Sequence, residues 1–237
     1  MDSARVQPPT HAGTTDGLAW AAFLPESDAE PAGGVVIIHG ADSCKENHAD
    51  FAAACARAGL AALTFDVRGH GQSEGPLDGR ALDDVATMAD LLRERFGVRR
   101  VGLRGSSMGG WLSLTAAPVA RADAVVAICP ASWIGLYGGL RAQRFEFAAD
   151  RESLTELLRA NDEREIVRDL DIPLLLMHAE GDEVVPVDLS RELAELAPDV
   201  ELVIVPGGDH RSVQHDPEMQ ERAARFLAEH LGAAGGR

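Results

Sequence analysis

The stretch Val101–Trp111 reads VGLRGSSMGGW, and it constrains the fold more than any other part of the chain. An apolar, strand-like run leads into Gly105-Ser106-Ser107-Met108-Gly109, and a helix-like run leaves it. The pattern G-x-S-x-G between a strand and a helix fits a sharp turn that lifts a serine hydroxyl above a sheet. Such a turn is crowded, so it needs small residues on either side of the serine. Ser107 has glycine at both places, whereas Ser106 would need one where Arg104 stands. The frame therefore selects Ser107.

Around this turn, strand and helix patterns alternate, which predicts a mostly parallel sheet covered by helices on both faces. Residues 4–24 read as two short strands, the second around Leu18–Leu24. Val35-Val36-Ile37-Ile38 is a β-branched run of the kind buried in a sheet. A helix is expected over Asn47–Ala58, with Gly59 as its stop. Leu60–Phe65 reads as a strand and Asp66–Gly79 as a glycine-rich loop. Ala81–Phe96 has apolar residues at 82, 85, 88, 89, 92 and 96, a helical period. Further strands are expected over 98–103, 124–129, 172–177 and 200–205, with helices over 107–117, 188–196 and 217–231. The tail GAAGGR reads as frayed. Residues 131–170 break the rhythm and read as short helices with no strand between them.

With 237 residues, 46% hydrophobic and 25% charged, the chain is long enough for a large folded α/β domain. A formal charge of −16 argues against nucleic-acid and anionic membrane partners. No run is long enough to span a membrane. The first twenty residues lack a basic start followed by an apolar stretch, so the expected location is cytoplasmic. Cys44, Cys55 and Cys129 match no metal spacing, and no metal is expected. Cys55 and Cys129 lie in apolar runs and are expected to be buried, which fits a reducing compartment.

A serine hydroxyl is a poor nucleophile until a base takes its proton and a third group orients the base. Those partners should follow the carboxyl ends of other strands. Two loops qualify. His178-Ala179-Glu180-Gly181-Asp182-Glu183 follows the strand at 172–177, and Pro206-Gly207-Gly208-Asp209-His210 follows the strand at 200–205. The acid at 182 competes with Glu180 and Glu183, and the base at 210 with His178 and His215.

Five stretches in order carry a family resemblance: His39-Gly40, Asp66-Val67-Arg68-Gly69-His70-Gly71-Gln72-Ser73, GSSMGG at the turn, GDEVVP from Gly181, and GGDH ending at His210. They cover residues 35–210. On these the chain resembles α/β-hydrolases of the compact carboxylesterase type, near monoacylglycerol lipases and cinnamoyl or feruloyl esterases. The resemblance implies an eight-stranded, mostly parallel sheet. It divides the chain into a core of residues 1–130 and 171–237 and a small helical cap of residues 131–170. It assigns Ser107 as nucleophile, His210 as general base and Asp182 as the acid that orients it. It makes the backbone N–H groups of Ala41 and Met108 the oxyanion hole. His39 and His70 become loop-ordering residues, with Asp66 and Arg68 holding the loop after the fourth strand.

The cap holds Trp133, Tyr137, Phe145 and Phe147, four of eleven aromatic residues. Trp133, Tyr137 and Phe145 are the candidate substrate-binding residues, with cap-to-core packing as the other reading. Arg141 and Arg144 either meet a substrate carboxylate or form a solvated face, and Asp42 and Cys44 lie near the oxyanion loop. The implied reaction is cofactor-free hydrolysis of a small or medium carboxylic ester by water, in a monomer or homodimer. Thioesterase, lactonase, amidase or peptidase, and acyltransferase or perhydrolase activities would use the same three residues. A non-catalytic binding protein of this fold is the alternative of a different class.

Overall fold

A computed structural model describes residues 7–26 and 30–232. The expectations for residues 4–6 and for the tail beyond residue 232 lie outside the described residues. The sheet has eight strands: β1 His11–Thr15, β2 Leu18–Phe23, β3 Gly34–Ile38, β4 Ala61–Phe65, β5 Val101–Ser106, β6 Ala124–Ile128, β7 Leu174–Ala179 and β8 Val200–Val205. Their spatial order is β1-β2-β4-β3-β5-β6-β7-β8. The β1–β2 and β2–β4 pairs are antiparallel, and every later neighbour pair is parallel. The expected mostly parallel, eight-stranded sheet is therefore the observed one.

The helices are α1 Ala49–Arg57, α2 Ala81–Phe96, α3 Met108–Thr115, α4 Trp133–Arg141, α5 Arg151–Ala160, α6 Glu163–Arg168, α7 Val187–Leu196, α8 Ser212–His215 and α9 Pro217–Gly232. Two apolar layers flank the sheet. On one face Phe51 and Cys55 of α1 and Phe226 and Leu227 of α9 pack on alternate strand residues such as Val35, Ile37 and Leu175. On the other face α2, α3 and α7 cover Val36, Ile38, Leu103 and Leu176, with α4, α5 and α6 joining that layer. The period of two along β3 sends its side chains alternately into the two layers. Val85, Met88, Ala89 and Leu92 form the buried stripe of α2, and Gly97 ends it in the left-handed conformation at φ 69°.

Boundaries moved where pairing or backbone chemistry overrides pattern. β7 begins at Leu174 because Pro173 has no N–H to give the ladder, and its first partner is Val200. β5 is shifted toward the serine because Gly34 of β3 pairs with Val101. The expected helix at 47 begins as a 3₁₀ turn over Lys45–His48 before α1. Between β6 and β7 the chain forms α4, α5 and α6 with no strand. Among the described residues no helix is long and apolar enough to cross a membrane.

The parallel strands point their carboxyl ends the same way. The segments after β3, β5, β7 and β8 therefore collect on one edge of the sheet, where open α/β sheets form their binding crevice.

Candidate active site

The turn after β5 has the geometry its sequence demands. Ser107 sits at φ 55°, ψ −119°, between β5 and α3. A non-glycine residue there costs on the order of 1–3 kcal/mol, so its surroundings must over-determine it. They do. The Ser107 N–H donates to Ile128 O at 3.0 Å, and its carbonyl accepts from Trp111 N at 3.1 Å and Ala131 N at 3.0 Å. A Cβ on Gly105 would collide with the carbonyl of Gly109, and one on Gly109 with the carbonyls of Ile38 and His39. Those contacts explain why the frame admits Ser107. Ser106 is buried within β5, paired in register with Ile128.

The loops after β7 and β8 bring Asp182 to His210. Nδ1–H of His210 donates to Asp182 Oδ2 at 2.7 Å. Asp182 Oδ1 accepts from the N–H groups of Val184 at 2.8 Å and Val185 at 2.9 Å. The carboxylate is fully buried and the imidazole 16% exposed. Burial alone would raise the Asp182 pKa. The hydrogen bonds from His210, Val185 and Val184 outweigh it and hold the group below its ordinary value. With Nδ1 donating to a carboxylate, Nε2 of His210 carries the free lone pair. Glu180 and Glu183 are exposed. His178 is fully buried, its ring bonded to Ser190 Oγ at 2.7 Å and Val185 O at 3.0 Å. Asp209 closes the turn, accepting from Arg211 N at 2.9 Å and Ser212 N at 3.0 Å.

One neighbour was not singled out from sequence. Cys129, at φ 43° just after β6, has its sulfur within 4.8 Å of both the Asp182 carboxylate and the His210 ring. Burial pushes its thiol up to about 12, and the Asp182 oxygens are already engaged. A thiol that keeps its proton at neutral pH beside an already engaged carboxylate makes this a packed cluster rather than a metal cage. An apolar run ending in cysteine carries no signal for this placement.

The segment after β3 lies against the serine. A Cβ on Gly40 would stand 3.2 Å from Ser107 Cβ and 3.9 Å from Ser107 Oγ. Met108 N–H opens α3 and has no acceptor within the helix. The Ala41 N–H has no acceptor among the described residues. His39 is fully buried, donating from Nδ1 to Gly40 O at 2.7 Å and accepting from Val67 N at Nε2 at 2.9 Å. Asp66 accepts from Lys45 Nζ at 2.7 Å and Gln72 N at 2.8 Å, and Arg68 pairs with Asp84 at 2.9 Å. These are the loop-holding roles expected for them.

Ser107 and His210 line two cavities. The larger, about 1130 Å³, lies beneath α4 and α7 and has Leu136, Phe145, Val185 and Leu189 in its wall. The smaller, about 400 Å³, is lined by polar groups including Asn47, Gln214 and His215. Ala41, Asp42 and Arg211 belong to both. Phe145 and Arg144 reach the larger cavity. Trp133 and Tyr137 do not line it, contrary to expectation. Tyr137 is held outward, its hydroxyl accepting from Arg159 at 2.9 Å and its ring flanked by Arg159 and Arg141. Trp133 packs against the core, and its backbone N–H donates to the buried Glu163 carboxylate at 3.0 Å. Small residues of α4, Gly135 and Gly139, line the cavity instead. Cys44 is half-buried and lines neither cavity.

Comparison with known proteins agrees with this architecture. A family model described as serine aminopeptidase, S33 matches residues 29–153, more than half of the chain. A second, described as TAP-like protein, matches residues 155–232. An uncharacterized protein, YfhR, of Escherichia coli K12 is 29% identical over 170 residues, covering 69% of this chain and 58% of that protein. Mouse palmitoyl-protein thioesterase ABHD10, mitochondrial, is 28% identical over 188 residues, covering 66% of this chain and 61% of its own length. The chain thus spans about three-fifths of the length of these curated relatives. Est1E from Butyrivibrio proteoclasticus, solved with ferulic acid, superposes with a TM-score of 0.75 at 21% identity, covering 93% of this chain and 99% of that one. The monoacylglycerol lipase of Paleococcus ferrophilus gives 0.67 at 22% identity, covering 91% and 98%. On the family match and the shared fold together, the chain belongs to the α/β-hydrolase serine hydrolases.

Proposed function

We propose that this hydrolase cleaves carboxylic esters of small to medium acyl or aryl groups through an acyl-enzyme on Ser107. The observation that carries the reading is the strained Ser107 turn opening on the same cavity as a His210 ring anchored to buried Asp182 at 2.7 Å. Nε2 of His210 takes the hydroxyl proton as Ser107 Oγ attacks the ester carbon. Negative charge gathers on the carbonyl oxygen, and the N–H groups of Met108 and Ala41 receive it. The imidazolium, stabilised by Asp182, returns its proton to the departing alcohol. Water then repeats the sequence on the acyl-enzyme and frees the acid. Residues 131–170 act as the cap over a core of residues 1–130 and 171–237, and Phe145 and Leu136 supply the apolar wall against the acyl group.

The test is hydrolysis of short p-nitrophenyl esters by the wild type and by Ser107→Ala. The substitution is expected to lower kcat by about 10⁵-fold or more, as removal of a triad nucleophile does elsewhere. Retention of activity in that variant overturns the reading. A thioester reading has a specific support in the mouse relative named a thioesterase. Matched oxygen and thiol esters of one acyl group separate the two.

A further inference from the structure

We propose that Asp42 is a positioning residue: its carboxylate ties the 145–147 strap to the loop that holds the Ala41 N–H beside Ser107. The inference rests on the oxyanion role proposed above and goes beyond it. Asp42 stands at φ 56°, a left-handed conformation that short polar side chains tolerate better than most. Its N–H donates to His70 Nε2 at 3.2 Å, while Nδ1–H of His70 donates to Arg68 O at 3.1 Å. Its Oδ1 accepts from two strap amides, Glu146 N at 2.8 Å and Phe147 N at 3.1 Å. The strap is thus more than a hundred residues away in sequence and two hydrogen bonds away in space.

The same strap residues meet the loop a second time. The Phe147 ring lies 4.5 Å from the His70 ring and stacks at 5.2 Å on Phe145. Phe145 forms part of the larger cavity wall. Asp42 therefore joins three things: the strap behind the acyl wall, the imidazole that anchors its own backbone, and the peptide next to Ala41. An oxyanion donor is effective only when held at its working position before the reaction starts. A small misplacement of such a group lowers the rate of chemistry more than it lowers substrate binding. Without the Asp42 carboxylate, two strap amides lose their acceptor and the loop between the cavities loses its tether. Asparagine would keep both an amide oxygen in place and tolerance for the left-handed backbone.

The test uses the full chain and one short p-nitrophenyl ester, with a fluorophosphonate probe reporting on Ser107. Asp42→Ala is expected to lower kcat at least ~10-fold with KM changed less than ~3-fold, a loss confined to the transition state. The rate of fluorophosphonate labelling should fall in parallel. Asp42→Asn should stay within ~3-fold of wild type, because it keeps the acceptor. Glu146→Pro removes one strap donor without touching Asp42, should lower kcat in the same direction, and carries the test if Asp42→Ala does not fold. Unchanged kcat in Asp42→Ala or in Glu146→Pro overturns the inference. So does an Asp42→Asn variant as defective as Asp42→Ala. Labelling of wild-type Ser107 with no kcat effect in the variants sinks this inference alone. No labelling of the wild type sinks the serine-hydrolase reading and this inference with it.

Discussion

Of the histidine–aspartate pairs among the described residues, two put their histidine on a cavity that Ser107 lines, and they differ in everything but composition. His210 and Asp182 meet at 2.7 Å with the carboxylate fully buried. His215 and Asp50 meet at 3.2 Å, with 43% and 36% of their side chains exposed. Both histidines line the smaller cavity, but only His210 also lines the larger. Asp182 has two backbone N–H groups fixing its other oxygen. Asp50 shares its carboxylate with Gln220 at 2.7 Å, and His215 lies parallel to His48 at 6.2 Å. A pair becomes an acid–base device when burial and fixed dipoles hold one tautomer in one place. An exposed pair has water as a competitor at every bond.

Asp182→Asn is the sharpest way to break the contrast. It should keep the fold and lower kcat by roughly 10⁴-fold, because an amide cannot hold the imidazole in the required tautomer. Asp50→Asn should leave kcat within ~2-fold, since an exposed pair of this kind contributes little. Ester hydrolysis by both variants decides it. Equal losses would mean that both pairs serve the reaction.

Acid titration probes burial over a wider region. Burial, followed by the nearby His70, holds His39 down to about 4 from an ordinary 6.5. Burial likewise lowers His48, His70 and His178. The sign follows from proton counting. Below pH 6.5 the unfolded chain protonates these rings while the native protein does so only at lower pH, so the unfolded state binds more protons and stability falls as pH falls. For His39 the loss runs from its unfolded value down to about 4 and amounts to roughly 3 kcal/mol. Asp182 acts lower down. Its native pKa is depressed, so its contribution is complete above the ordinary carboxylate range and is lost as pH drops through that range and below. Thermal unfolding should therefore show a flat Tm above neutrality and a decline from about pH 6.5 to 4. A Tm constant down to pH 4 would contradict the burial of these rings.

The smallest effect belongs to the outer pair. His215→Ala should change stability by less than about 1 kcal/mol, the range of an exposed polar contact open to water, and should leave kcat for a p-nitrophenyl ester near wild type. A larger loss of kcat would move His215 from the cavity rim into the reaction.

Much of this was legible beforehand because its signals are local. Gly105 and Gly109 around Ser107 declare a turn whose crowding is a backbone property. The stripe at 85, 88, 89 and 92 declares the buried face of α2. Strand ends were less legible, since Leu174 and Val101 begin their strands where a neighbour pairs with them. The aromatic residues between β6 and β7 were the least legible. Nothing in WIGLY says that Arg159 will draw Tyr137 outward while Gly135 and Gly139 line the cavity. Nor does any local pattern set Cys129 against Asp182, or let Asp42 take amides from residues 146 and 147.

By itself, the sequence determined the alternating α/β architecture, the serine in the crowded turn, and the order in which a carboxylate and an imidazole follow later strands. Each rests on backbone sterics, side-chain period or chain order, which neighbours in sequence settle among themselves. Tertiary structure alone decided how closely each imidazole meets the buried carboxylate, which of residues 131–170 form the cavity wall, and which amides the Asp42 carboxylate takes. Those outcomes depend on burial and on hydrogen bonds between segments that only the folded sheet edge brings together.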